Sequence, residues 1–294
     1  MKISTAQFFR SNAEALTKGQ FNVSELQAKL GSGKQLTSPS QDPHQASLIS
    51  RLESNLERQA IYQENIAVAK TRLTSEETAL SSITEVFLRA SELAIQGANG
   101  TMAIEDRAVL GAEVGELRKE LVRLANTRDL NGEYIFAGNR VDTAPFLDNG
   151  TGQVKYVGDT GKLRVNVSDS RSVAVNTLGS ELLSSEDFAA MAALEQGLIQ
   201  NDIAAVQSSI ESIKLSSDKI SVSFGKMAGR FAALDSQSVL LEDTSLRLES
   251  LLSENRDLDY AKAITMLSKE SMSLQALQAS FTKISQLSLF NFMR

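Results

Sequence analysis

Cysteine and tryptophan are absent from this sequence, histidine occurs once and proline three times in 294 residues. Each absence excludes a class of chemistry. Without cysteine there is no disulfide framework, no thiolate nucleophile and no cysteine-ligated zinc or iron–sulfur centre. With His44 alone there is no histidine-rich metal site and little scope for imidazole acid–base catalysis. A chain without thiols tolerates either redox compartment, so that absence fixes no location. No apolar run approaches the ~20 residues of a membrane span. The opening residues Met1 to Gln7 hold no continuous apolar stretch, so no cleaved secretory signal is expected there. Net charge is −6 without an obvious basic block, which disfavours nucleic acid and anionic membranes as partners.

What is present is a seven-residue rhythm of apolar side chains. Most are Leu, Ala, Ile and Val, and aromatics are only 5%, a composition suited to long helices with narrow seams. Phe9, Leu16, Val23 and Leu30 form a first stripe, which stops at Gly31-Ser32-Gly33. A polar stretch from Lys34 to Gln41 reads as a linker. Asp42-Pro43-His44-Gln45 is a helix start: Asp can cap, Pro suits the first helical position and Gln45 can reach back. A second stripe then runs Leu52, Gln59, Ile66, Leu73, Leu80, Phe87, Ala94. Asn55, Gln59 and Gln63 lie near this seam, where polar groups fix register. Gly97 to Gly100 breaks it. Helix resumes from Ala103 to Arg128, with Val109, Val114, Leu117, Leu121 and Leu124 as its expected apolar face.

Between about 132 and 180 the pattern changes to glycines and short alternating runs. Gln153 to Val157, Leu163 to Val167 and Ser172 to Val175 read as strands. Helical pattern returns near Ser185, with an interrupted stripe through Phe224, Phe231, Leu234, Leu241 and Leu248. It breaks at Asn255-Arg256-Asp257. The last segment places Tyr260, Leu267, Leu274 and Phe281 seven apart, with Ala263, Leu277 and Ile284 beside them. The expected fold is mainly α: a long antiparallel helical rod with terminal coiled-coil helices and a small β insert at the far end. Its parts are a terminal helix and linker (1–42), two rod halves (43–131 and 185–256), a β module (132–184) and a C-terminal helix (257–294).

No residues assemble into a nucleophile–base–acid constellation, and neither a metal nor a cofactor is expected. Asp257 and Asp259 suggest paired carboxylates, but a helix N-cap explains them. His44 reads as a solvated first-turn residue. The glycines match no phosphate-binding pattern. The terminal stripes are the functional signal. Phe281, Ile284, Leu287, Phe290 and Phe292, with Phe8, Phe9 and Leu16 at the other end, expose aromatics unless something covers them. Two readings stand. The terminal helices pair with each other in one monomer, or they bury their faces only against neighbouring subunits and become ordered on assembly.

Several blocks also carry a resemblance. The start Met1-Lys2-Ile3-Ser4-Thr5, the linker Gly33 to Pro43, the run Glu92 to Thr101, the block Asn131 to Gly138 and the end from Asp257 to Phe292 resemble the flagellin superfamily, in particular its subunits at the hook–filament junction. Gln41 departs from the pattern, which often carries an acid there. The resemblance implies a non-enzymatic, exported structural subunit of the bacterial flagellum, outside the cell, joining hook to filament. It implies ring assembly with copies of itself, contacts with the first hook–filament junction protein and with flagellin, and a cytoplasmic export chaperone on the C-terminal helix. The expected subunit-interface residues are Phe9, Leu16, Val23, Leu30, Tyr260, Leu267, Leu274, Leu277, Phe281, Ile284, Leu287, Phe290 and Phe292. The rival readings are a filament-forming flagellin and, from another class, a cytosolic coiled-coil scaffold or signalling protein.

Overall fold

A computed structural model describes residues 5–149 and 153–292, with side chains at all of these except 5, 6, 8 and 284–292. Among the described residues the protein is mainly α with a small β insert. The order is α1 (Thr5–Ser32), α2 (Pro43–Gly97), α3 (Ile104–Ala125), β1 (Phe146–Asp148), β2 (Val154–Tyr156), β3 (Arg164–Asn166), β4 (Ser172–Ala174), α4 (Gly179–Leu182), α5 (Ser185–Ile199), α6 (Ile203–Arg256) and α7 (Tyr260–Phe292). The chain divides into two compact units, Gln59–Glu242 and the pair of segments Met1–Arg58 and Asp243–Arg294.

The first unit, 59–242, holds most of the apolar core. On α2 the expected stripe is buried: Ile66, Leu73, Leu80, Phe87 and Ala94, thickened by Ile83 and Ala90. On α6 the buried column is Val206, Ile213, Ile220, Met227, Leu234 and Leu241, again seven apart. It contains Leu234 and Leu241 of the expected stripe, whereas Phe224 and Phe231 lie beside it and are only partly buried. The cause is a second column of small or polar residues, Ser209, Ser216, Ser223 and Gln237, also buried. A hydrophobicity count overlooks serine. Yet the Ser209 hydroxyl donates to the Ala205 carbonyl in its own helix and the Ser216 hydroxyl to the Asp187 carboxylate, which satisfies them inside a seam.

On α3 four residues of the expected face hold: Val114 and Leu121 are buried, and Leu117 and Leu124 pack against the core. Val109 departs from it, 67% exposed. Gly111 and Gly115 face α5. A Cβ on Gly111 would stand 2.8 Å from Ile199 Cγ1 and 3.2 Å from the Glu195 carbonyl. Backbone-to-backbone approach of α3 and α5 therefore needs glycine there.

The β insert is two separate hairpins. β1 pairs antiparallel with β2, Phe146 opposite Tyr156, and β3 with β4, Arg164 opposite Ala174. β2, β3 and β4 fall inside the three expected runs. β1, only three residues long and directly after Pro145, carries too little pattern to be read. A lone hairpin is marginal in water; this one is held by Phe146, whose ring lies 5.5 Å from Phe188 on α5 and 5.3 Å from Tyr156.

Buried polar clamps tie the segments together. Arg107 Nε donates to the Gly97 carbonyl at 2.9 Å and Nη2 to the Asn99 carbonyl at 2.7 Å, while Nη1 donates to Asn201. One guanidinium thus satisfies carbonyls at the end of α2 and holds the α5–α6 turn. Glu76, fully buried on α2, accepts from Arg230 on α6 at 3.1 Å and from Thr177 ahead of α4. Burial pushes its carboxyl above the usual range, against the pull of Arg230. Asp187 closes a capping box with Ser184 on α5. It also accepts from Ser216 at 2.5 Å and Lys219 at 3.1 Å on α6.

Burial acts to raise the Asp187 carboxyl, but the hydrogen bonds from Ser216, Ser184 and Lys219 outweigh it and hold the group below its ordinary value. A carboxyl depressed by folding stabilises the fold above about pH 4 and loses that contribution as pH falls through the folded value. Asp187→Asn is expected to cost about 1–3 kcal/mol at neutral pH in urea unfolding. The gap to the unchanged protein should narrow once the pH drops below about 4; a gap independent of pH would contradict the assignment.

Candidate assembly surface

The second unit brings the two ends of the chain together. α1 packs along α7. Phe9, Leu16, Val23 and Leu30 on α1 are all half-buried, as are Leu267, Leu274, Leu277 and Phe281 on α7. The Phe9 and Phe281 rings meet edge to face, 5.7 Å between centroids. Gly19 sits against Leu274, where an added Cβ would lie 3.2 Å from Cδ1. α1 and α7 thus pair within one chain, as in the first of the two readings, and leave these residues incompletely covered. Tyr260 is half exposed, with its hydroxyl beside Gly33. Ile284, Leu287, Phe290 and Phe292 lie on α7, but their side chains are outside the described residues, as is that of Phe8.

The helix ends follow the sequence. Asp42 Oδ1 accepts the backbone N–H of His44 and of Gln45, both at 3.0 Å, and so caps α2 ahead of Pro43. Asp259 Oδ1 accepts the Lys262 N–H at 3.0 Å and caps α7. Asp257 accepts from Arg256 Nε and the Ser253 hydroxyl, which hold its carboxyl below the usual range. The two aspartates are helix-end groups. Among the described residues no cluster of three or more His, Asp or Glu side chains could hold a metal ion, and no helix is long and apolar enough to cross a membrane.

The linker after α1 is not the free stretch its composition suggests. Gln35 N–H donates to the Arg256 carbonyl at 2.8 Å, and Leu258 N–H to the Gly33 carbonyl at 2.9 Å. Gln45, expected to reach back to its own cap, instead donates to the Asn255 carbonyl at 2.6 Å. Gln41 donates to Glu25 at 3.1 Å and accepts the Thr37 N–H at 3.0 Å. A carboxylate at 41 could not donate to Glu25, so the departure at this position has a local use. The connectors α1–α2 and α6–α7 are thereby tied to each other, which sets the register of the helices leaving them.

Pattern reading missed the opposite faces of the terminal pair. Phe21 is 66% exposed and Met272 71%, with Ile264 and Met266 about half exposed. At about 100° per residue, Phe21 and Met272 lie on the backs of α1 and α7, away from their shared seam. They break the seven-residue rhythm, and only the paired structure shows that nothing among the described residues covers them. A face of this kind, apolar on an exposed helix pair, fits the packing of another helix.

The family model for the bacterial flagellin N-terminal helical region matches residues 3–141. The likeness is to the flagellin superfamily, and within it to hook-associated protein 3. The chain is 32% identical over 185 residues to flagellar hook-associated protein 3 of Escherichia coli (strain K12), covering 63% of this chain and 57% of that protein. It is 30% identical over 131 residues to flagellin of Listeria monocytogenes serovar 1/2a, covering 45% of this chain and 46% of that protein. Each match spans well under two thirds of the relative's length. Among solved structures, a flagellar hook-associated protein from Vibrio parahaemolyticus is similar at 25% identity with a TM-score of 0.69, covering 74% of this chain and all of that one. The flagellin-like blocks read from the sequence fall on structural joints here: Gly33 to Pro43 on the tied connector, Glu92 to Thr101 on the turn held by Arg107.

Gly33 tests the joint directly. Its φ is +67°, and a Cβ would meet the Tyr260 hydroxyl at 2.8 Å. Gly33→Ala is expected to destabilise this unit by about 1–2 kcal/mol through backbone strain, with a further loss from displacing Tyr260. Adding Tyr260→Phe should recover the steric part alone in thermal unfolding; full recovery would mean that the left-handed conformation is not kept.

Proposed function

We propose that this chain is a structural subunit of the bacterial flagellum that joins hook to filament. The observation that carries the reading is the terminal pair α1–α7: a seam only partly covered within the chain, with Phe21, Ile264 and Met272 left exposed outside it. The likeness to hook-associated protein 3 supports the place in the assembly. Apolar helix faces of neighbouring copies interlock into a ring. The same surface meets the first hook–filament junction protein on one side and flagellin on the other. Before export the C-terminal helix is held by a cytoplasmic chaperone, since its exposed apolar face invites aggregation. The chain then passes unfolded through the flagellar export channel to the outside of the cell. A sequence without cysteine cannot cross-link on the way. The chemistry is packing, with no enzymatic step.

A second reading, a filament-forming flagellin, rests on the shared helical region. Purified protein that polymerises alone into long filaments would favour it.

The test follows the protein in intact and sheared cells. It should locate at the hook–filament boundary, in small amount relative to flagellin. Deleting residues 260–294 should leave a soluble protein that is exported poorly and does not hold filaments. Phe21→Asp with Met272→Asp should keep helix content, because neither side chain lies in the seam, yet lose filament attachment. Normal attachment by either variant would overturn the proposal.

A further inference from the structure

One face of α6 in the unit 59–242 is left uncovered. Leu215, Lys219, Val222, Lys226, Gly229 and Ala233 follow one another at intervals of three or four, so they share a single helix face. Leu215 is 54% and Val222 58% exposed. Part of this face lines an open cleft of about 480 Å³, shared with β4 and the segment before α4. Lys162, Arg171, Lys226 and Arg230 converge on it against one carboxylate, Glu181, while Leu215, Lys219 and Val222 line the adjoining cleft together with Glu186 and Asp218. Glu181 pairs with Lys162 at 2.9 Å, and Arg230 is turned toward the buried Glu76. Arg171 and Lys226 have no side-chain hydrogen bond or ion pair among the described residues. Two unneutralised cations beside exposed aliphatic side chains, in a chain of net charge −6, mark a surface shaped for an acidic, partly apolar segment.

The same unit carries such a segment. At the first turns of α3, Glu105 and Asp106 are exposed and without side-chain partners among the described residues, and Ile104 and Val109 beside them are 56% and 67% exposed. This patch cannot reach the cleft of its own copy. Its neighbour Arg107 is bonded to Asn201, just before α6 begins at Ile203. From there to Lys226 the helix rises about 35 Å.

We infer that the first turns of α3 in one copy dock into the basic cleft beside α6 of a second copy, Glu105 and Asp106 meeting Arg171 and Lys226 while Val109 packs on Val222. Complementary patches offset along one helix generate a head-to-tail contact with an axial stagger of about 35 Å between parallel copies. The inference rests on the reading of this chain as a self-assembling subunit, and supplies a specific contact for it.

The absence of cysteine makes the test clean. Full-length Val109→Cys and full-length Val222→Cys are mixed and treated with a short bis-maleimide; the mixture should give a linked pair. The double variant should give a ladder of linked chains. Arg171→Glu with Lys226→Glu in the Val222→Cys chain should lower the mixed yield about tenfold. Glu105→Lys with Asp106→Lys in the Val109→Cys chain should restore it to within about twofold, because the charge pairs are then re-formed with reversed sign. No link between positions 109 and 222, a link indifferent to charge reversal, or closed two-chain products alone from the double variant would overturn the contact. Hook–filament localisation without this link would remove the contact and leave the proposed function standing. The link without that localisation would do the reverse.

Discussion

The seam between α1 and α7 is the interaction on which the functional account depends. An amphipathic helix in a protein draws most of its stability from packing its apolar face. Two of them, from opposite ends of one chain, cover each other's apolar stripe, as Phe9 on Phe281 and Gly19 against Leu274 show. The cover is partial: the described seam residues of the expected interface remain half-buried or exposed, in contrast to the fully buried Leu73, Leu80 and Phe87 of the larger unit. Apolar surface left over after folding is the source of association free energy. A pair that is stable enough to form and too thin to be self-sufficient is what an assembling subunit requires.

The connectors make that pair specific. Gly33 in the left-handed region, the Gln35–Arg256 and Leu258–Gly33 backbone bonds, and Gln45 on the Asn255 carbonyl fix where α1 and α7 leave the helices that follow and precede them. The larger unit uses buried polar groups for the same end. Arg107, Glu76 with Arg230, and Asp187 each bridge segments far apart in sequence. Leucine seams tolerate slippage by a turn, whereas a buried charge with one set of partners does not.

Much of this was legible in the sequence, and the exceptions have physical reasons. The α2 stripe, the Asp42-Pro43 start, the Asp259 cap and the break after Asn255 all follow from side-chain chemistry acting on its own few neighbours. On α6 Leu234 and Leu241 of the expected stripe lie in the buried column, while Phe224 and Phe231 fall beside it, where the companion column is serine, invisible to an apolar count. On α3 only Val109 leaves the expected face, and Gly111 and Gly115, which look like helix weakeners, are contact residues. β1 is too short to show a period. For the candidate site, the seam residues were legible, but a heptad pattern states that a face is buried without saying by which chain. Phe21 and Met272 interrupt the rhythm and gain meaning only once the seam is placed on the other side of their helices. The flagellin-like blocks added what no periodicity holds, a place in an assembly.

The central claim is that α1 and α7 of one copy pair with each other. It is tested by the double variant Gly19→Cys and Leu274→Cys in the full chain. The Cβ of a side chain at 19 would lie 3.9 Å from that of residue 274, inside the range a disulfide spans. Oxidised in dilute solution, the protein should form this bond within single chains, with no dimers and no change in helix content. Disulfides found only between chains, or none at all until the protein assembles, would contradict the account.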